Sequence, residues 1–137
     1  MKKNKFLFLI IILLYTFDAF SDFKSNIKID ANSIEFLKNS KKINFYNNVE
    51  INSEYVNIKA NFATYDQQED VISFSGSPSI IKSKKDDNLF NGEADKILFF
   101  DDEKIHLIGN ASMIYEKISI SSNIIIFNPQ NGKMTSG

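Results

Sequence analysis

Apolar and polar residues alternate through most of this chain, most plainly from Val56 to Ile81. Val56, Ile58 and Ala60 alternate with Asn57, Lys59 and Asn61, the period-2 signature of a half-buried strand. A polar tetrad, Gln67 to Asp70, interrupts the pattern, and Ile72 and Phe74 resume it before Gly76. The stretch predicts a strand, a bend, a turn, a returning strand and a second bend. No segment after Asp22 carries sustained helical periodicity.

The unit recurs. Aligned on a small residue, four copies appear, anchored at Ala31, Ala60, Ala94 and Ser122 and spaced by 29, 34 and 28 residues. Before the anchors stand Ile27 and Ile29, Val56 and Ile58, Phe90 and Gly92, and Ile118 and Ile120. After them come Ile34 and Phe36, Ala63 and Tyr65, Ile97 and Phe99, and Ile125 and Phe127. The apolar set changes parity across each anchor. A plain strand keeps one face on one parity, so each anchor predicts a bulge or corner.

A second landmark follows each anchor: Asn47, Gly76, Gly109 and Gly137. Glycine reaches positive φ without steric cost and Asn is its best substitute, so these read as bends of the returning strands. Ahead of them lie Ile43 and Phe45, Ile72 and Phe74, and Ile105 and Leu107; beyond them lie Val49 and Ile51, Pro78 and Ile80, and Ala111 and Met113. Polar turns at Lys38 to Lys42, Asp66 to Asp70, Asp101 to Lys104 and Asn128 to Gly132 fall where hairpins need them. Lys82 to Asn88 reads as a solvated loop between the second and third copies. Repeats of short strands at this period predict a stacked all-β architecture, two facing antiparallel sheets with a continuous apolar channel between them. A filled core and a lipid-holding groove satisfy the pattern equally.

Composition narrows the function classes. The chain has 137 residues, a formal charge of −1, no Cys and one His, and every basic side chain is Lys. That length accommodates one modest domain. Near-neutral charge argues against nucleic-acid binding, and the absence of Arg removes bidentate phosphate clamps. Without Cys or a second His, His106 builds no transition-metal site, and alternation between Ile105 and Leu107 turns it outward. The acidic neighbours Glu69-Asp70, Asp86-Asp87 and Asp101-Asp102-Glu103 sit in turns rather than across a cleft, so they read as solvated. No nucleophile elbow or phosphate loop occurs. The chain is expected to be neither an enzyme nor a cofactor binder.

The N-terminus carries an export pattern. Lys2, Lys3 and Lys5 precede an apolar run from Phe6 to Phe17, and Ala19-Phe20-Ser21 places small residues before Asp22. Twelve helical residues rise only ~18 Å, short of a ~30 Å hydrocarbon core. Residues 1–21 are expected to be a signal peptide and 22–137 the folded domain, with no helix in the mature chain.

Ile58-Lys59-Ala60-Asn61, Gly76-Ser77-Pro78-Ser79, Phe90-Asn91-Gly92-Glu93-Ala94-Asp95 and Leu107-Ile108-Gly109-Asn110-Ala111 together resemble the OstA-like domain family over about Ile27 to Gly137. Size and leader are most similar to its periplasmic lipopolysaccharide-transport members. The resemblance implies an open-ended, clam-like β-jellyroll whose copies associate by β-edge pairing into a bridge. That bridge joins an inner-membrane export complex to an outer-membrane assembly complex. Lipid A acyl chains would travel along the interior, driven by a partner ATPase. The implied lining is Ile27, Ile29, Phe36, Phe45, Val56, Ile58, Phe74, Phe90, Phe99, Leu107, Ile118, Ile120 and Phe127. Asn47-Asn48-Val49 replaces a common Gly-Asn-Val, and a C-terminal pairing edge is expected around Ile118 to Phe127 or Met134. Two other readings stand beside the carrier: an inner-membrane-anchored component of the same pathway, and an adaptor with a filled core.

Overall fold

The computed structural model describes residues 27–84, 90–102 and 104–137. The expected signal peptide, residues 1–21, lies outside the described residues. Within them all regular structure is strand, with no helix. The strands are β1 (Lys28–Asp30), β2 (Ser33–Leu37), β3 (Lys42–Asn52), β4 (Val56–Asp66), β5 (Val71–Ser83), β6 (Phe90–Phe100), β7 (Ile105–Tyr115), β8 (Ile118–Phe127) and β9 (Met134–Ser136).

These strands form one antiparallel sheet. From β3 to β8 each strand pairs with its neighbours in sequence, β1 and β2 share the far edge of β3, and β9 covers part of β8. The two ends of the sheet do not meet, so it is open. The four repeats are visible as β1–β2 with β3, β4 with β5, β6 with β7, and β8 with β9. The two facing sheets expected from the repeat pattern are therefore two halves of a single sheet.

A line of corners divides the halves. Ladder register shifts between Tyr46 and Val49, Lys59 and Phe62, Ser75 and Ser79, Glu93 and Lys96, and Ile108 and Ala111. Asn47 (φ 63°), Asn48 (φ 50°), Gly109 (φ 79°) and Asn110 (φ 46°) take the left-handed conformation there. Glycine, which has no Cβ, and Asn, whose short polar side chain can hydrogen-bond locally, adopt it at least cost, which is why these types occupy the corners. Gly76 does not take positive φ. Its corner is built over the longer Ser75–Ser79 segment, which contains a cis Ser77–Pro78 peptide.

The sharpness of the bend follows from β7. A straight strand from Ile105 to Tyr115 would rise about 33 Å at ~3.3 Å per residue. Phe127 pairs with Ile105, yet the Tyr115 ring centre lies 5.8 Å from that of Phe127. Phe90, which pairs with Tyr115, lies 4.5 Å from Phe127 in an edge-on arrangement. The strand must fold back on itself at Gly109–Asn110. The two halves therefore face each other, and their apolar rows meet in one core.

Candidate functional site: the apolar interior

Residues paired across an antiparallel ladder share a face of the sheet, so the registers assemble the interior row by row. One row runs Phe36, Ile43, Tyr65, Ile72, Phe99, Ile105, Phe127, Met134. Beside it runs Ile34, Phe45, Ala63, Phe74, Ile97, Leu107, Ile125. Across the corner line the facing half contributes Ile29, Ile51, Ile58, Ile81, Gly92, Met113 and Ile120. Phe90, Tyr115 and Ile118 form a further step on that half. At Gly92 a Cβ would sit 3.1 Å from both Ile81 Cγ2 and Leu107 Cδ1, so these neighbours would have to give by a few tenths of an ångström and the two halves pack closely at this point.

The residues expected to line the interior divide into three groups. Phe45, Val56, Ile58, Phe74, Phe90, Phe99, Leu107 and Phe127 are buried in the shared core. Ile27, Ile29 and Ile120 are partly buried against it. Phe36 and Ile118 lie in the inner rows by register but remain 74% and 62% exposed. Phe36 and its neighbour Ile34 stand at the β2 end, and Ile118 at the free half of β8, beyond the reach of the opposite half.

Ile80 stands at the same distance from its bend as Ile51 and Met113, which are buried, but it faces outward, while Ile81 is fully buried. Ser79 is the first buried residue beyond the Gly76 corner, whereas Val49 and Ala111 follow Asn47 and Gly109 one position sooner. The extra residue reverses the alternation beyond the corner. Its trace in the sequence is that third residue after Gly76, but only the ladder shows where it is absorbed.

The interior is nearly free of polar groups. Among the described residues the buried polar side chains are Ser53 and Ser79. Ser53 closes the β3–β4 turn, its hydroxyl accepting from the amides of Tyr55 (3.3 Å) and Val56 (3.1 Å). The Ser79 hydroxyl has no hydrogen-bond partner. Charge lies outside. Lys42–Asp66 (3.9 Å), Lys28–Asp30 (3.9 Å) and Lys104–Asp102 (3.7 Å) are surface pairs, whose energetic weight is small in water.

His106 lies on the outer face, as alternation requires, with its ring 4.6 Å from that of Phe100. Burial against its neighbours and the nearby Lys104 ammonium hold its pKa below the ordinary 6.5, with Asp102 opposing them. A histidine whose folded pKa is depressed favours the folded state in its neutral form. Its contribution is complete above pH 6.5 and declines as pH falls through 6.5 towards the folded value. The expected outcome is an NMR titration midpoint for His106 below 6.5 in the folded protein, and a stability that decreases on acidification across that window. A midpoint at or above the ordinary value would contradict this environment. Asp101 and Asp102 are exposed in the β6–β7 turn, where Asp102 accepts from the Lys104 amide at 2.9 Å.

An open antiparallel sheet folded over a continuous apolar interior defines a β-jellyroll. Over residues 28–133 the sequence matches the family described as LptA/(LptD N-terminal domain) LPS transport protein. The chain belongs to that family. Its fold is similar to a solved structure, that of LptH from Pseudomonas aeruginosa, described as the LptA-homologous periplasmic component of the conserved lipopolysaccharide transport device. The TM-score is 0.72, with 20% identity over 81% of each chain. Among curated protein sequences none matches the chain.

Proposed function

We propose that this protein is a periplasmic carrier of lipopolysaccharide that holds acyl chains along its apolar interior and joins an inner-membrane export complex to an outer-membrane assembly complex. The observation that carries this reading is the set of continuous apolar rows crossing the whole sheet in a member of a lipopolysaccharide-transport family. At its two ends the rows surface at Ile34 and Phe36 and at Ile118, so acyl chains could be handed on there without leaving an apolar path. Among the described residues the outer edge of β1 and β2 and the part of β8 ahead of Ile125 lie outside any ladder on that side, which offers backbone for association between copies and with partners.

The close packing of the middle of the interior favours a second reading, an adaptor that joins complexes through its edges and carries nothing. Phe74, Ile58 and Leu107 are 0% exposed, so an acyl chain must displace side chains to pass. Photo-crosslinking residues placed at Phe36, Phe74 and Lys59 separate the two. The carrier predicts lipopolysaccharide adducts at Phe36 and Phe74 and none at the outward Lys59. Adducts restricted to Lys59, or none at any position while self-association persists, would leave the adaptor.

A further inference from the structure

We infer that a hollow on the outer face, between the β6–β7 turn and the β8–β9 loop, binds a phosphate group, either free or carried on an apolar chain. The site lies outside the apolar interior and does not depend on the carrier reading. The hollow has a volume of about 190 Å³ and is lined by Lys104, Ile126, Asn128, Lys133 and Thr135. One water's share of liquid volume is ~30 Å³, so a phosphate group fits. Ile126 and Thr135 stand opposite each other in the β8–β9 ladder, in the outer row that also holds His106.

The same local construction delivers both lysines. Each ends its turn, the Lys104 carbonyl accepting from the Phe100 amide at 3.1 Å and the Lys133 carbonyl from the Asn128 amide at 2.9 Å. A side-chain oxygen two residues earlier accepts each lysine's own amide: Asp102 Oδ1 for Lys104 at 2.9 Å and Asn131 Oδ1 for Lys133 at 2.8 Å. Two ammonium groups from separate turns are thus brought to one hollow on backbone that is tied in place.

The rest of the lining adds donors. Asn128 Oδ1 accepts the Gln130 amide at 2.9 Å, so what its side chain has left to offer is the Nδ2 donor. Thr135 supplies a hydroxyl, and none of the described lining residues is acidic. Lys104 pairs with Asp102 at 3.7 Å, but the two side chains are 44% and 57% exposed, and such a pair is weak in water. Among the described residues Lys133 has no ion-pair partner. Two compact ammonium groups match a phosphate monoester, which carries about −1.5 to −2 charges at pH 7, better than they match a single carboxylate. Ile126 gives apolar contact to whatever the phosphate is attached to. The field of the site is felt at His106, where burial and then Lys104 depress the pKa against the opposing Asp102.

The chain has a single histidine, so its ring signals in NMR report on the hollow directly. An anion held against Lys104 removes part of the positive field at His106. The His106 titration midpoint should therefore move upward when inorganic phosphate is added at constant ionic strength. Dihexanoyl phosphatidic acid, kept below its micelle concentration, should do the same. Lys133→Gln leaves the neighbours of His106 intact and should weaken both responses several-fold. Lys96→Gln, exposed on the same face but outside the hollow, should leave them unchanged. A phosphatidic acid response at several-fold lower concentration, lost in Ile126→Ser, would support the site with a lipid headgroup as its ligand. Equal concentrations would support it with free phosphate as the ligand. A midpoint that stays fixed or falls, or that responds equally in Lys133→Gln and the parent, would overturn the site.

Discussion

Replacing Phe74 by Ala is expected to destabilise the fold by about 3–5 kcal/mol, as large-to-small changes of buried aromatics do. Phe74 is 0% exposed and lies between Ala63 and Ile97 in its row. Ala63 is too small to fill the void, and the facing half is already fixed by its own ladder. Domains of this kind have roughly 5–15 kcal/mol of total stability, so the loss is a large share of it. Urea unfolding should show the midpoint falling with little change in slope. Phe36→Ala is the internal control. Its side chain sits in the neighbouring inner row but is uncovered, and the same truncation should stay within about 0.5 kcal/mol. Equal losses at the two positions would mean that the β2 end of the sheet is covered in solution.

The second large effect is expected at a corner. Gly109 adopts φ 79°, and a Cβ there would lie 2.9 Å from Asp95 Oδ2 and 3.3 Å from Asp95 Cβ. Asp95 in turn accepts a hydrogen bond from Asn110 Nδ2 at 2.9 Å. Gly109→Val places a β-branched residue in a region it rarely occupies, at a cost of roughly 1–3 kcal/mol, and it also dislodges Asp95. Gly109→Asn should cost clearly less, because Asn47 already takes the same conformation at the equivalent corner of β3, with φ 63°. Denaturation midpoints ordered parent, Asn, Val would agree with this account. A valine variant as stable as the parent would show that the corner does not need glycine's freedom.

Particular residues show which parts of this structure were legible in advance. Val56 and Ile58 could be assigned to the inner face because alternation is local, and a strand with one buried side must show it. Asn47 and Gly109 marked corners because left-handed backbone restricts residue type at the position itself. The Gly76 corner misled, since the segment to Ser79 holds one more residue than its counterparts, and Ile80 changed places with Ile81. Phe36 and Ile118 show a different limit. Their ladder register places them in the inner rows, but whether that face is covered depends on how far the opposite half extends.

The OstA-like resemblance supplied what periodicity could not, namely the clam-like folding of the sheet and lipopolysaccharide as the cargo to consider. The family match confirms the kinship. Neither alternation nor kinship indicated that Tyr115 would pack against Phe127, because the two lie on different halves and meet only through the angle of the fold.

The sequence by itself determined most of the strands, their repeat, their turns and the apolar face of each except beyond the Gly76 corner. There Ile81 rather than Ile80 is buried, and β5 runs on through Ser83. What it determined follows from short-range periodicity and backbone preference. The tertiary structure alone decided that the two halves belong to one sheet and that the middle of the interior is filled. It also decided that the rows surface at Phe36 and Ile118. The physical reason is that burial belongs to pairs of surfaces. A strand encodes which of its faces is apolar, but what that face meets depends on where the chain bends and on how far the opposing half reaches.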